Sequence, residues 1–388
     1  MLRDHVAMKG GCLAHVPDDV LVQLLTTVFW AGLETYEGQH RPVGIVFLGT
    51  STADFVTPEG VESGAAPLYH WKVLRFTSPR PFAIGELAKL AVAGTDRRIY
   101  TAVSLMQDRS LVIAGLAREG FNVDPDPFVK IVASRPGSLS IRSGSDLILG
   151  YERGTPLTGG EDVVLAAGPV RRRLETMARA AGLDEDVVPD YVKAVRSLVR
   201  EMAAHGRGGI LIISVEHHPE VAKAAAYRMV LDSSLASLLQ LARHLGRTRN
   251  GGQPRRAPPD DAAFRNVLRS TLLTEVERVT EELGALTAID GAVLLNRDLA
   301  LVAFGLMLPI HRPTALTHAV SAEGFGSRII DLGSRGTRHR AGATYAADHP
   351  GNVVFVASED GELSCMLRDA SHERTRLWRL TPADRGVG

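Results

Sequence analysis

Three short clusters in the last third of the chain carry the residue types that nucleotide chemistry needs. Asp290-Gly291-Ala292 opens the apolar run Val293-Leu294-Leu295. Gly336-Thr337-Arg338-His339-Arg340 follows, its glycine 46 positions after Asp290. Ser358-Glu359-Asp360-Gly361 closes the apolar run Val353 to Val356. Each lies at an end of a run that reads as a buried strand, where an α/β sheet presents ligand-binding loops. Carboxylates hold a divalent metal, and Arg, His and Thr side chains hold phosphates. Taken singly, each feature has a plainer reading. Asp290-Gly291 reads as a turn pair, the polar run from Thr337 as a solvated helix start, and Leu308 as core. Together they point to one site.

The three clusters resemble the diadenylate cyclase domain family over about residues 162–370, and the Gly-Thr-Arg-His-Arg run is the most specific element of the resemblance. It implies condensation of two ATP molecules into cyclic di-AMP with loss of two pyrophosphates, by two cyclase domains meeting face to face in a homo-oligomer. It implies a divalent metal, Mg or Mn. Catalytic roles fall to Asp290, Arg338, His339 and Arg340, and ATP contacts to Gly291, Ala292, Leu308, Gly336, Thr337 and Ser358. Metal contacts fall to Asp290 with Glu359 or Asp360. Leu308, before Pro309, matches a leucine that packs on adenine in the family. The physical roles are consistent with the residue types. A ribose hydroxyl is a poor nucleophile near neutral pH, and a metal with a carboxylate lowers that barrier. Cationic donors stabilise charge on a departing pyrophosphate, and Gly291 lets the backbone approach a ligand. One departure stands out. Many relatives place His before Asp-Gly-Ala; here it is Ile289. His217-His218 is a tempting replacement ligand pair, but adjacent strand residues point to opposite faces.

Two other function classes remain open to the sequence. A nucleotide-binding sensor that no longer catalyses would suit Ile289. A nucleic-acid binder would use Arg243, Arg247, Arg249, Arg255 and Arg256, around a loop rich in Gly and Pro; a solvated insertion is the plainer reading. Balanced charge, 44 basic against 44 acidic residues, argues against general nucleic-acid or membrane-surface binding. Two cysteines, Cys12 and Cys365, make no disulfide framework. No run approaches the ~20 apolar residues of a spanning helix, so a cytoplasmic location is expected.

The elements that must position these clusters read as an α/β fold, a mixed twisted central sheet flanked by helices on both faces, in two related domains. The expected division is residues 1–155 as an N-terminal sensor domain, 162–370 as the cyclase domain with an insertion near 246–261, and 371–388 as a flexible tail. Helices are expected over 17–34, 169–183, 189–204, 219–245 and 262–283. The last has Phe264, Leu268, Leu272, Val276 and Val279 on one face. The two halves also repeat. Tyr100 to Leu116 laid under Asp290 to Leu306 gives eight identities in 17 positions, and Val132 to Ser140 matches Val356 to Ser364 in the same way. The chemistry is missing from the first copy. Tyr100 stands where Asp290 stands, Arg135 where Glu359 stands, and no Arg-His-Arg run lies between them.

Overall fold

Apolar runs too continuous for half-exposed strands set the architecture. Gly209–Ile213 and Val353–Ala357 are buried at every position, as strands covered on both faces should be. The computed structural model describes residues 12–13, 16–36, 38–50, 71–95, 98–121, 128–143, 146–152, 155–157, 163–215, 225–228, 234–246, 259–310, 316–319, 321, 323–324, 328–330, 336–359, 363–368 and 374–380. Contacts divide the chain into two units, one within Met1–Gly160 and one within Glu161–Ala383.

The first unit begins with α1 (Asp18–Ala31), whose two aspartates favour the positive end of the helix dipole. A ribbon of β1 (Thr35–Tyr36) and β2 (Gln39–His40) follows. The main sheet comprises β3 (Val43–Thr50), β4 (Trp71–Pro81), β5 (Ile99–Leu105), β6 (Leu111–Glu119), β7 (Val129–Ala133), β8 (Ser138–Ser143), β9 (Asp146–Glu152) and β10 (Thr155–Leu157), with α2 (Ile84–Leu90) between β4 and β5. Its order is β10-β9-β8-β7-β3-β5-β6-β4. Leu24 and Val28 of α1 and Leu87 of α2 pack with Ile45, Phe47 and Ile131 on one sheet face. Trp71, Tyr100 and Phe128 cluster with Val46 and Val132 on the other.

The second unit runs α3 (Pro169–Ala180), α4 (Val188–Ala204), β11 (Gly209–Ile213), β12 (Ala225–Arg228), α5 (Leu235–Gly246), α6 (Pro259–Leu286), β13 (Ala292–Leu295), β14 (Leu301–Leu306), β15 (Leu316–Ala319), β16 (Arg328–Ile330), α7 (Thr337–Asp348), β17 (Val353–Ala357), β18 (Leu363–Leu367) and β19 (Thr375–Leu380). The sheet order is β12-β14-β13-β11-β17-β18-β19-β15-β16. Ile210, Ile212, Val354, Val356 and Met366 pack against α7 through Ala341, Ala343 and Ala346. Helices α3 and α4 contact β17, and α4 also β11. The Arg243 guanidinium on α5 donates through Nε at 3.0 Å to the buried Asp190 of α4.

The repeat is present in the topology. The run β8-β7-β3-β5-β6-β4 matches β18-β17-β11-β13-β14-β12 strand for strand. In each copy the central strand is parallel to one neighbour (β3 to β5, β11 to β13) and antiparallel to the other (β7, β17). A register shift follows Ala102 in the β5–β6 hairpin and its counterpart Ala292 in β13–β14. The copies differ between the fourth and fifth members. Nine residues join β6 to β7, whereas β15, β16 and α7 lie between β14 and β17.

Several local expectations change. Residues 219–245 are not one helix: β12 occupies Ala225–Arg228 and α5 begins at Leu235. The tail assigned from 371 contains β19, paired between β18 and β15. Burial of Leu377, Trp378 and Leu380 drives that strand, and Trp378 Nε1 donates to the Ser321 carbonyl at 3.1 Å. Phe264 is 65% exposed, so the apolar stripe of α6 is buried only in its later turns, at Leu273, Val276 and Val279. No helix among the described residues is long and apolar enough to cross a membrane.

Candidate functional site

The site is built on one row of directly opposed strand residues in the second unit. Arg379 pairs with Ser364, Ser364 with Val356, Val356 with Ile210, Ile210 with Ala292, and Ala292 with Leu306. Opposed residues share a sheet face, so this row forms a floor beneath the first turns of α7. A cleft of about 920 Å³ opens over it. Ile210, Leu306, Met307 and Leu308 give an apolar wall, and Gly336, Thr337 and Arg338 come from the start of α7. Asp290, Gly291, His339, Ser358, Glu359 and Arg379 complete the polar lining. The three sequence clusters therefore meet in one place. They do so at the amino-terminal ends of the parallel pair β11 and β13, opposite to the usual carboxyl-end position in open α/β sheets.

Local structure explains each position. Residues 287–289 close the end of α6 with backbone bonds to Gly284, Ala285 and Leu286, which leaves Asp290 projecting with 99% of its side chain exposed. Gly291 has φ +104, and a Cβ there would lie 2.6 Å from the Gly305 carbonyl carbon, so only glycine fits. Helix α7 starts at Gly336 with no side-chain cap and no acidic residue in its first turn. Thr337, Arg338, His339 and Arg340 stand there instead, and cations at the positive end of a helix dipole are unfavourable. A sequence that breaks a local rule in this way marks a functional requirement. Uncapped N–H groups and guanidinium charge at one point suit an anion.

Arg338 lies between the two carboxylates. Its Nη1 is 2.9 Å from Glu359 Oε1 and its Nη2 3.9 Å from Asp290 Oδ1. Gly208 makes room for it: at φ +70, a Cβ would come within 2.8 Å of Arg338 Nη1. His339 lines the base of the cleft. It is 3% exposed, and its Nε2 is 3.3 Å from Ser364 Oγ, so it ties α7 to β18 at the cleft's base. Arg340 is exposed and lies outside the cleft lining, because the helix turns it away from its neighbour Arg338. Ala292 is fully buried in the floor. Arg379 was missed by sequence reasoning because it lies in a stretch read as tail. Asp360, His217, His218 and the loop arginines 247, 249, 255 and 256 lie outside the described residues.

Among the described residues, no group of three or more His, Cys, Asp or Glu is placed to hold a metal ion. Asp290 and Glu359 alone still suit a hard cation, because Mg²⁺ is commonly bound through one or two carboxylates with substrate phosphates completing the shell. Cys365 is fully buried and its thiol is pushed well up by that burial, so it has no nucleophilic role.

In the first unit the counterpart position of Asp290 carries a buried side chain instead. Tyr100, in the place of Asp290, packs edge-to-face on Trp71 at 5.7 Å between ring centroids. Lys130 Nζ lies 5.7 Å from the Tyr100 ring centroid and 2.6 Å from Glu119 Oε1, and both charged groups are buried.

Residues 12–118 match a family model described as "Probable sensor domain DACNV", which spans less than half of the chain. The first unit is therefore similar, over these residues, to that sensor-domain family. No curated protein matches. Among solved structures, a double mutant of DacA from Staphylococcus aureus is 17% identical, with 49% of this chain and 85% of that one covered and a TM-score of 0.25. A hypothetical membrane spanning protein from Bacillus cereus is also 17% identical, with 54% and 88% covered and a TM-score of 0.24. At these values neither likeness carries an argument.

Proposed function

We propose that the second unit is a diadenylate cyclase domain, which joins two ATP molecules into cyclic di-AMP across a face-to-face pair of chains. The observation that carries this reading is the convergence of Asp290, Thr337, Arg338, Ser358 and Glu359 on one cleft with an apolar wall. Leu306, Met307 and Leu308 offer a surface for a base. The start of α7 with Arg338 receives phosphates, and Asp290 lies where a 3′-oxygen would be activated. Each 3′-oxygen attacks the other nucleotide's α-phosphorus, the bond to the β-phosphate oxygen breaks, and two pyrophosphates leave. Asp290 with Glu359 would hold the divalent ion, Mg or Mn, which supplies charge neutralisation at the phosphates. Ligand arrival must redistribute the Arg338 contacts, because that guanidinium serves both carboxylates in their absence. One cleft holds one ATP, so the reaction needs a second chain. Tyr100 and Arg135, in the places of Asp290 and Glu359, support a regulatory part for that half.

The test is to incubate the purified full chain with ATP and Mg²⁺ or Mn²⁺ and weigh the products. One cyclic di-AMP per two pyrophosphates is expected, and Asp290→Asn should slow the reaction by about 10²–10³. Full activity in that variant would refute the assignment. Ile289, 41% exposed beside Asp290 where the family resemblance leads one to expect His, favours one second reading, a nucleotide-binding sensor without turnover. ATP binding with no product would select it.

A further inference from the structure

We infer that Arg379 is a second phosphate-binding residue of this cleft, the one that makes it electrostatically able to take a triphosphate. The inference rests on the nucleotide reading above and adds a residue from outside its motifs.

The argument starts from charge. His339 is engaged with Ser364. Among the described residues, the remaining charged lining groups are Asp290, Glu359, Arg338 and Arg379, two negative and two positive. Without Arg379 the count is one positive against two negative. Arg338, moreover, lies 2.9 Å from Glu359, so its charge is already countered. A cleft of net negative charge repels the polyanionic end of a nucleotide, and oriented helix N–H groups add only partial charge. Among the described lining groups, Arg379 is the cation that brings the count to zero before any metal arrives.

Position supports the same role. Arg379 is exposed on β19 and is the direct cross-strand partner of Ser364. Ser364 is the residue that receives His339 from the first turn of α7. Arg379 therefore stands on the helix-bearing face of the sheet, on the floor row that runs under the start of α7. Arg338 comes from the helix and Arg379 from the sheet. Two guanidinium groups from different elements can grip a phosphate chain in one orientation, with the planar paired donors that a lysine lacks.

The test is calorimetric titration of the full chain with ATP, ADP, AMP and adenosine, for the unaltered protein, Arg379→Gln and Arg379→Lys. Arg379 has contacts within the protein, so thermal melting of each variant accompanies the titrations. Loss of one charge-assisted contact should weaken ATP binding by about 10- to 100-fold in Arg379→Gln. Adenosine binding should be unchanged, and Arg379→Lys should recover part of the loss. Equal ATP affinity in Arg379→Gln, or an equal loss for ATP and adenosine, overturns the inference while leaving the nucleotide reading intact. An unaltered protein that binds none of the four overturns that reading, and this inference with it.

Discussion

Gly342→Ala is a sharp test of how the site helix is seated. Gly342 lies in the middle of α7, where the helix rests on the sheet. A Cβ there would meet Val356 Cγ2 at 2.7 Å, Val354 Cγ1 at 3.4 Å and Met366 Sδ at 3.7 Å. Carbon pairs prefer about 3.5–4.0 Å, so the first contact is short by roughly 1 Å. Two effects compete. Alanine is a better helix former than glycine by about 1 kcal/mol, while an extra methyl in a packed core costs about 1–3 kcal/mol. Val356 decides the sign. It is fully buried, its strand is paired on both sides with Ile210 and Ser364, and β-branching leaves its side chain few rotamers. It cannot swing away, so the helix must lift. With Val356 fixed the cost lies in the upper part of its range, about 2–3 kcal/mol, so the expected net loss is about 1–2 kcal/mol, a fall of roughly 2–8 °C in Tm for a unit of this size. Lifting α7 also displaces Thr337 and Arg338, so KM for ATP should rise. The assay is denaturant unfolding of Gly342→Ala, Val356→Ala and the double variant. Val356→Ala removes the opposing methyls, so the pair should couple favourably by about 1 kcal/mol or more. A Gly342→Ala protein as stable as its parent, or strictly additive effects, would refute the argument.

Two further outcomes are expected. Burial pushes the Tyr345 phenol up to about 12 from an ordinary value of 10.0, against a lowering contact from Asn352. A raised pKa means that the neutral form is favoured in the folded state. Its contribution is present below pH 10 and is lost as pH rises from 10 towards 12, up to about 2.7 kcal/mol. Urea midpoints should fall less steeply above pH 10 in Tyr345→Phe, and identical slopes would contradict this. Removing residues 1–160 should leave a folded unit that still binds ATP, with oligomeric state and turnover both altered, by sedimentation and product assay. An unchanged rate and an unchanged oligomer would remove the regulatory role of the first half, since a sensor acts only by favouring one arrangement over another.

Much of the fold was legible in the sequence because continuous apolar runs have few alternatives. Val293 to Leu295 and Val353 to Val356 read as buried strands, and strands they are. The doubled topology was also visible, as the shared pattern from Tyr100 to Leu116 and from Asp290 to Leu306. Glycine spacing and alternating burial are local constraints, written residue by residue. The failures fall where partners are remote. Residues 375–380 carry two arginines among apolar positions and look like tail. They become β19 only because β18 and β15 supply hydrogen bonds on both edges. Residues 225–228 read as helix until β14 pairs with them.

The site divides in the same way. The types and spacing of Asp290, Gly336 to Arg338 and Glu359 are set by sequence alone, and so is the presence of cations, with no acidic residue, in the first turn of a helix. Which members of a contiguous run share the cleft is a matter of geometry. A helix turns about 100° per residue, so Arg338 faces the carboxylates, His339 goes under the helix to Ser364 and Arg340 turns outward. Arg379, 89 positions from Asp290, enters the cleft only because a sheet can lay the last strand of the unit beside the strands of its core. Local sequence fixes what each segment can form, whereas cross-strand register fixes which segments meet.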